Sequence, residues 1–236
     1  MKRIPLVAGN WKMNLGVKEG ERLALHYREV LEHERGFDLA LFPTFLQVPG
    51  ISRALEGSRI LLGTQDVYPE PKGAFTGEIP LNQIKELGCR AVLIGHSERR
   101  HVIKEPGSLV AAKAAAVVKE GLTPILCVGE TKAEREAGQA EAVVARQLEE
   151  SLASWSPDWL GKAVIAYEPV WAIGTGLNAS PADIRGMHAV IRAWVEKKGG
   201  PALAAACRIL YGGSVTAENV ASIAAEPEVD GVLVGG

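Results

Sequence analysis

Short apolar segments alternate with longer amphipathic segments along the whole chain. The short segments are apolar or β-branched and predict eight strands, at residues 4–9, 39–42, 60–63, 91–94, 124–128, 163–167, 208–211 and 231–234. The longer segments carry apolar residues at helical spacing and predict seven intervening helices, at residues 18–33, 48–55, 81–87, 109–119, 134–152, 181–198 and 217–224.

This alternation predicts an α/β fold built on a parallel sheet. Several predicted strands are apolar on both faces, as a parallel sheet covered by helices requires. Eight strand–helix units in 236 residues, without a linker, favour one domain over residues 1–236 with the proportions of a closed (β/α)8 barrel. A doubly wound open sheet is the alternative. The sequence stops directly after the eighth predicted strand, so we expect no eighth helix within it and a bare flank beside strands 1 and 8.

Composition narrows the possible partners and the cellular compartment. The chain has 26 basic and 28 acidic side chains, which gives no support for a nucleic-acid or membrane-surface partner. No apolar run approaches the roughly 18 residues of a membrane span, and the start of the chain lacks the features of a secretory signal. The three cysteines have no metal-type spacing, so neither a disulfide framework nor a metal site is indicated. We expect a soluble, cytoplasmic protein.

Polar residues are concentrated where the predicted strands end. In a barrel of this kind reactive groups lie at the carboxyl ends of the strands, which meet at one rim. The residues that follow strands 1, 4, 6, 7 and 8 are Asn10 and Lys12, then His96, Ser97 and Glu98, then Glu168, then Tyr211, Gly212, Gly213 and Ser214, and finally Gly235 and Gly236. Their convergence on one mouth is the strongest functional signal in the sequence.

The two glycine pairs and Lys12 favour an anion site. Glycine lets main-chain N–H groups approach a phosphate closely, and barrels commonly build phosphate sites after strands 7 and 8. Ordinary turn chemistry is the alternative for either pair alone. Lys12 would neutralise a phosphate or a developing oxyanion, although most lysines are simply solvated.

His96 is either a structural hydrogen-bonding residue or an electrophile. A helical turn opening at Ser97 would keep the imidazole neutral and able to donate to a carbonyl oxygen. Glu98 is expected to pair with Lys12 or Arg99.

Glu168 is a candidate general base, because it ends a buried strand where partial desolvation raises basicity. The alternative is a salt bridge, but no basic residue lies between Lys162 and Arg185. The residues after Glu168 form an apolar tip between a proline joint and a glycine joint, which predicts a lid that excludes water. The predicted lid spans residues 169–176 and contains Pro169, Val170, Trp171, Ala172, Ile173, Gly174, Thr175 and Gly176.

Seven motifs carry a resemblance to a known family. They are AGNWKMN (8–14), GAFTGEI (73–79), IGHSERR (94–100), PILCVGE (124–130), AYEPVWAIGTG (166–176), LYGGSV (210–215) and DGVLVGG (230–236). In order and spacing the chain resembles the triosephosphate isomerases, which have the TIM barrel fold. The resemblance implies interconversion of dihydroxyacetone phosphate and glyceraldehyde 3-phosphate through an enediolate, without cofactor or metal. Glu168 would move the proton, His96 would serve the oxygens, and Lys12 and Asn10 would stabilise negative charge.

The resemblance also assigns supporting roles. It implies that main-chain N–H groups near Gly174, Ser214, Gly235 and Gly236 hold the phosphate and that Tyr211 helps to hold the closed lid. It also implies that Cys127 packs at the end of the barrel in a structural role and that Arg192 and Asp230 form a structural ion pair. Ser97 and Glu98 are expected to lie behind the reacting groups and support them.

Residues 65–79 form a long, partly apolar segment that resembles the interlocking loop of the family. Phe75 and Thr76 would then enter a neighbouring subunit, which implies a homodimer.

Two alternatives stay open from the sequence. One is a barrel that binds phosphate without catalysis. The other is a different sugar-phosphate barrel enzyme such as an epimerase, which would share the glycine pairs but would not explain the lid after Glu168.

Overall fold

The computed structural model describes residues 3–31, 33–173 and 179–235. Within these ranges the strands are β1 (Leu6–Asn10), β2 (Asp38–Phe42), β3 (Leu61–Thr64), β4 (Ala91–Ile94), β5 (Thr123–Val128), β6 (Val164–Tyr167), β7 (Ile209–Tyr211) and β8 (Gly231–Gly235). The helices are α1 (Val17–Leu31), α2 (Val48–Ala54), α3 (Leu81–Glu86), α4 (Ser97–His101), α5 (Gly107–Lys119), α6 (Lys132–Glu136), α7 (Ala140–Leu152), α8 (Pro157–Leu160), α9 (Pro181–Gly199), α10 (Pro201–Ala206) and α11 (Val220–Ala224).

The eight strands form a closed parallel barrel. Each strand pairs with the next in sequence order, and β8 pairs with β1 to complete the ring. At the closing seam Asn10 lies opposite Phe42 on one side and Gly235 on the other. The prediction of a (β/α)8 TIM barrel is therefore confirmed, and the alternative of an open sheet is wrong.

Two apolar layers follow from the alternation of side chains along each strand. Inward-facing residues fill the barrel interior, which is a packed core. This inner set consists of Leu6, Ala8, Ala40, Phe42, Ala91, Leu93, Ile125, Cys127, Val164, Ala166, Leu210 and Leu233. Outward-facing residues of the same strands pack against the helices in a second, larger cluster.

The predicted helix over residues 134–152 is wrong as a single element. A capping box at Thr131 and Glu134 starts α6 at Lys132, two residues before the predicted start, and the chain turns at Gly138 before α7 begins. Gly138 has a φ of +71°, a left-handed conformation that breaks a right-handed helix. The short helices α8 and α10 were not predicted.

No helix in the described ranges has both the length and the apolar character needed to cross a bilayer.

One flank of the barrel carries an open apolar groove. The outward faces of β1, β2 and β8 contribute Val7, Leu39 and Val234, and α1 contributes Leu23 and Tyr27. The groove has a volume of about 450 Å³. It lies beside β1 and β8.

The barrel closes at the foot of β8. The Asp230 carboxylate accepts from the Arg192 guanidinium (2.6 Å) and from the main-chain N–H of Ile209 (2.9 Å), and it also pairs with Arg3. The implied Arg192–Asp230 ion pair is therefore present. The next residue, Gly231, has a φ of +141°, and a Cβ there would overlap the main-chain carbonyl of Leu6.

Replacing Gly231 with alanine is expected to lower the free energy of unfolding by more than about 2 kcal/mol, because the added methyl group forces β8 away from β1. Equilibrium unfolding in denaturant measures this change. The matched control is Gly186→Ala in α9, where an added Cβ meets no heavy atom within 4 Å. That control is expected to stabilise the fold by about 0.5–1 kcal/mol. Equal effects of the two substitutions would contradict this account of the seam.

Candidate active site

The predicted functional residues meet at the carboxyl ends of the strands. A cavity of about 250 Å³ is lined by Asn10, Lys12, His96, Glu168, Ile173, Gly212, Gly213, Ser214, Val215, Thr216, Leu233 and Gly235. These residues come from or directly follow β1, β4, β6, β7 and β8. The structure thus brings together the four residues predicted to be catalytic, although they are far apart in sequence. Gly174, Thr175 and Gly236 lie outside the described residues.

The Glu168 side chain, which follows β6, is hydrogen-bonded to the main chain that follows β4. Its carboxylate is almost fully buried (2% exposed) and accepts from the main-chain N–H of Ser97 at 2.9 Å. The other carboxylate oxygen lies 3.1 Å from Nε2 of His96. The main-chain N–H of Glu168 donates to the carbonyl of Val128 at 2.8 Å, so the residue continues the pairing of β5 with β6.

His96 lies at the start of α4 with its ring orientation fixed. The main-chain N–H of Glu98 donates to Nδ1 at 3.2 Å. Since Nδ1 accepts a hydrogen bond, the ring proton is assigned to Nε2, the nitrogen that faces Glu168. The helical turn expected at Ser97 is present as α4. The arrangement fits a neutral imidazole that presents an N–H donor to the cavity.

Lys12 adopts an uncommon backbone conformation, with a φ of +52°. Its main-chain N–H donates to Oδ1 of Asn10 (3.1 Å), and Nε2 of Gln65 donates to its carbonyl (2.7 Å). Nζ pairs with the Glu98 carboxylate at 2.8 Å. Lys12 is thus one of the two partners that were expected for Glu98. Three neighbours thus hold the residue in a strained conformation, as is frequent at functional sites.

Arg99, the other partner expected for Glu98, belongs to a different ion-pair cluster. It pairs with Asp66 (2.8 Å) and with Glu105 (3.3 Å). The buried Lys113 pairs with the same two carboxylates. Burial raises the pKa of Asp66, while Lys113 and Arg99 oppose the rise.

Glycines make room for Glu168 on two sides. A Cβ at Gly212 would lie 2.9 Å from Cγ of Glu168, and a Cβ at Gly129 would overlap its main-chain carbonyl. A Cβ at Gly213 would overlap the hydroxyl of Tyr211. The first glycine pair therefore has a packing role that the sequence analysis did not predict.

Cys127 lies inside the barrel beneath Glu168. Burial and the neighbouring Glu168 carboxylate both raise the pKa of the thiol well above its usual range. The thiol therefore stays protonated beside the carboxylate. Cys127 thus supports Glu168 from below.

The first half of the predicted lid is anchored to the barrel. Val170–Ala172 forms a 3-10 turn, and the main-chain N–H of Val170 donates to the carbonyl of Glu130 at 3.0 Å. The hydroxyl of Ser214 donates to the carbonyl of Ala172 at 2.6 Å. Burial raises the pKa of Tyr211 to about 12, and a hydrogen bond with the main chain of Ala179 opposes that rise. Tyr211 and Ser214 therefore contact both ends of the segment that contains the lid.

Glu130 is a residue of the site that was not predicted from the sequence. Its side chain is fully buried and accepts from the indole N–H of Trp171 (2.8 Å) and the hydroxyl of Tyr167 (3.1 Å). The guanidinium of Arg135 lies 3.4 Å from the same oxygen and 4.5 Å from the centre of the Trp171 ring. An acid just beyond a buried strand was the signal that identified Glu168. The same signal after β5 would have identified Glu130.

Comparisons with known proteins agree with the fold and with the motifs. The family model described as triosephosphate isomerase matches residues 5–236. A protein of Herpetosiphon aurantiacus named triosephosphate isomerase is 49% identical over 234 residues, which cover 99% of this chain and 94% of that protein. Proteins of the same name from Roseiflexus sp. and Chloroflexus aurantiacus are each 45% identical over 99% of this chain, covering 92% and 94% of their own lengths.

Proposed function

Because the chain belongs to the triosephosphate isomerase family, we propose that it interconverts dihydroxyacetone phosphate and D-glyceraldehyde 3-phosphate. The observation that carries the proposal is the single cavity shared by Glu168, His96, Lys12 and Asn10. A buried carboxylate, an imidazole N–H and an ammonium group around one small cavity are the groups that proton transfer beside a carbonyl needs.

Glu168 is the proposed base. Substrate entering between Glu168 and His96 replaces the 3.1 Å contact between these two side chains. The carboxylate takes a proton from the carbon beside the carbonyl, the C–H electrons form a C=C bond, and the carbonyl electrons move to oxygen. The carboxyl group then returns the proton to the neighbouring carbon. The hydroxyl proton on the first oxygen passes to the second oxygen through His96, so the isomerisation is completed without net consumption of acid or base.

His96, Lys12 and Asn10 stabilise the enediolate oxygens. Nε2–H of His96 donates to whichever oxygen carries the developing charge, and the ammonium group of Lys12 supplies a positive charge in a water-poor site. Asn10 orients Lys12 through the bond to its main-chain N–H and supplies a further polar group.

The phosphate is assigned to main-chain N–H groups on the β7–β8 side of the mouth. Ser214 and Gly235 line the cavity there, and a Cβ at Gly235 would lie 2.8 Å from Cε of Lys12. The absence of that Cβ lets the ammonium stem and an anion share the same space. Gly174 and Gly236 complete the proposed phosphate site.

The segment 169–176 is proposed to close over the substrate. Glu130 anchors its first turn through Trp171 and Val170, and Ser214 bonds to Ala172. Ile173, the last described residue of the segment, lines the cavity. Closure would exclude water and keep the enediolate from decomposing by other routes.

Shortening the proposed base by one methylene is the test of this mechanism. Glu168→Asp is expected to lower kcat about 10²-fold, because the retracted carboxylate no longer lies in line with the carbon-bound proton. Turnover of glyceraldehyde 3-phosphate, measured in a coupled assay, gives the value. The control Glu56→Asp changes an exposed carboxylate remote from the cavity and is expected to leave kcat unchanged.

Three results would contradict the proposal. Unchanged turnover in Glu168→Asp would exclude its role as the base. Binding of the triose phosphate by the parent protein without turnover would favour a phosphate-binding barrel. Turnover of other sugar phosphates in preference to the triose would favour a different barrel enzyme.

A homodimer is proposed from one exposed apolar face. Met13 and Leu46 are 94% and 81% exposed, and Val102 and Ile103 are also exposed. Met13 and Ile103 line a second cavity of about 270 Å³ that reaches Asn10, Lys12 and His96. Four large exposed apolar side chains beside a cavity are typical of a protein interface.

The loop at 65–79 is the segment proposed to fill that cavity in a second copy. Phe75 and Thr76 are exposed at its tip, and the Phe75 ring packs 4.5 Å from that of Tyr68. Exchange of identical loops between two copies gives a closed two-fold assembly. Thr76 of each copy would then approach Asn10 and His96 of the other.

Ile103→Glu is expected to shift the protein from dimer to monomer and to lower turnover, because a carboxylate would be buried in the interface. Sedimentation or light scattering measures the mass. The matched control Val30→Glu replaces a side chain on α1 with the same 60% exposure and is expected to leave the dimer intact. A monomeric parent protein, or a dimer that tolerates Ile103→Glu, would exclude this interface.

A further inference from the structure

Gln147 makes a two-point contact with the main chain beside the proposed base. This side chain lies on α7 and is buried. Its amide oxygen accepts from the N–H of Gly129 at 2.8 Å, and its amide nitrogen donates to the carbonyl of Gly129 at 3.0 Å. Both main-chain groups of one residue are therefore satisfied by one side chain. A primary amide suits this task because it combines a donor and an acceptor in fixed geometry.

Gly129 needs such a partner because it lies just beyond β5. The N–H of Glu168 bonds to the carbonyl of Val128, and the next main-chain bond between the two segments runs from the N–H of Val170 to the carbonyl of Glu130, so neither bond involves Gly129. Gly129 is buried between them, where an unsatisfied N–H or carbonyl would be unfavourable. Gln147 thus supplies from a helix what the neighbouring strand no longer provides.

The position of Gly129 is transmitted directly to Glu168. A Cβ at Gly129 would overlap the carbonyl oxygen of Glu168 and lie 3.3 Å from its Cα. The two main chains are thus in close contact, and a shift of Gly129 displaces the backbone that carries the carboxylate. Because protein interiors are close-packed, the surrounding atoms have little free space in which to absorb such a shift.

Gly129 is also joined to the anchor of the proposed lid. The next residue, Glu130, accepts from the main chain of Val170 and from the indole of Trp171. The segment 129–130 therefore touches the chain on both sides of Pro169. Fixing Gly129 fixes the backbone of Glu168 and the first turn of the lid together.

We propose that Gln147 is a positioning residue that sets the carboxylate of Glu168 through its two hydrogen bonds to Gly129. This inference rests on the proposed role of Glu168. Gln147 itself does not line the cavity. Its removal is expected to reduce kcat more than it changes KM, since Ser214 and Gly235 on the phosphate side are untouched.

Two variants separate positioning from packing. Gln147→Leu keeps the approximate volume but offers no hydrogen bond, and it is expected to lower kcat about tenfold or more, with KM within about twofold of the parent value. Gln147→Glu keeps the shape and can accept from Gly129, but it donates to the carbonyl only when the new carboxyl group is protonated. Burial favours the protonated form of a carboxyl group, so this form gains population as pH falls.

The pH dependence is the readout that a merely structural role would not change. From about pH 9 down to about pH 5.5, the ratio of kcat in Gln147→Glu to kcat in the parent is expected to rise, while the ratio for Gln147→Leu stays low and flat. The matched control is Ser151→Ala. Ser151 is buried one turn further along α7, its hydroxyl has no hydrogen-bond partner among the described residues, and its loss is expected to leave kcat unchanged.

Two outcomes would overturn the inference. One is a kcat within about twofold of the parent value in both variants at every pH; the other is a low ratio for Gln147→Glu that does not respond to pH. If Gln147→Leu does not fold by circular dichroism, Gln147→Glu alone decides. Glu168→Asp is measured in the same assay. An unchanged kcat in Glu168→Asp would defeat the proposed function. The expected loss of kcat in Glu168→Asp, together with an unchanged kcat in both Gln147 variants, would defeat this inference alone.

Discussion

The main-chain hydrogen bonds that join β8 back to β1 determine where the groups of the candidate site meet. An open parallel sheet would spread the ends of β1, β4 and β6 along an edge. The closed ring brings them within hydrogen-bonding distance, so Ser97 beyond β4 bonds to Glu168 beyond β6. Closure depends in turn on small features at the seam. Gly231 lets β8 lie directly against Leu6, and Asp230 ties Arg192 and Ile209 to the foot of the same strand.

Burying the Glu168 carboxylate is unfavourable unless its surroundings offer donors and positive charge. The donors are an N–H from Ser97 and the imidazole of His96, with the protonated thiol of Cys127 close by. The positive charge comes from Arg100, a partly buried guanidinium that donates to the carbonyls of Gly95 and Cys127. Burial lowers the pKa of Arg100, whereas the nearby Cys127 and Glu168 oppose that effect. The carboxylate is therefore stabilised by donors that come from several strands.

The pattern of apolar residues predicted the fold well because each strand is a short apolar or β-branched run that can be recognised by itself. The predicted bounds of β4 agree with the structure, and those of the other strands differ by one or two residues. Because the carboxyl ends of the strands meet at one rim, the sequence predicted that Asn10, Lys12, His96 and Glu168 lie together. In the structure these four residues line one cavity. The helix break at Gly138 was missed because the apolar spacing on either side of it is compatible with one continuous helix.

The supporting contacts of the site could not be predicted in this way. Gln147 lies within a helix whose spacing predicts only that one face is buried, and its partner is 18 positions earlier in the chain. The packing role of Gly212 depends on its distance from the Glu168 side chain in the folded barrel. No pattern of residues along the sequence reports that distance. Glu130 did carry a signal, since it follows a buried strand as Glu168 does.

The central claim is that one carboxylate moves a proton between two carbons through an enediolate. The most direct measurement is isomerisation of glyceraldehyde 3-phosphate in ²H₂O, with the product analysed by NMR for deuterium on carbon. The carboxyl group returns part of the abstracted proton and exchanges the rest with solvent, so the account predicts deuterium on the carbon that becomes C1 of dihydroxyacetone phosphate, at a level that rises with repeated turnover until the isomers reach equilibrium. Product that carries no carbon-bound deuterium even after many turnovers would show direct hydrogen transfer between the carbons and would contradict the account.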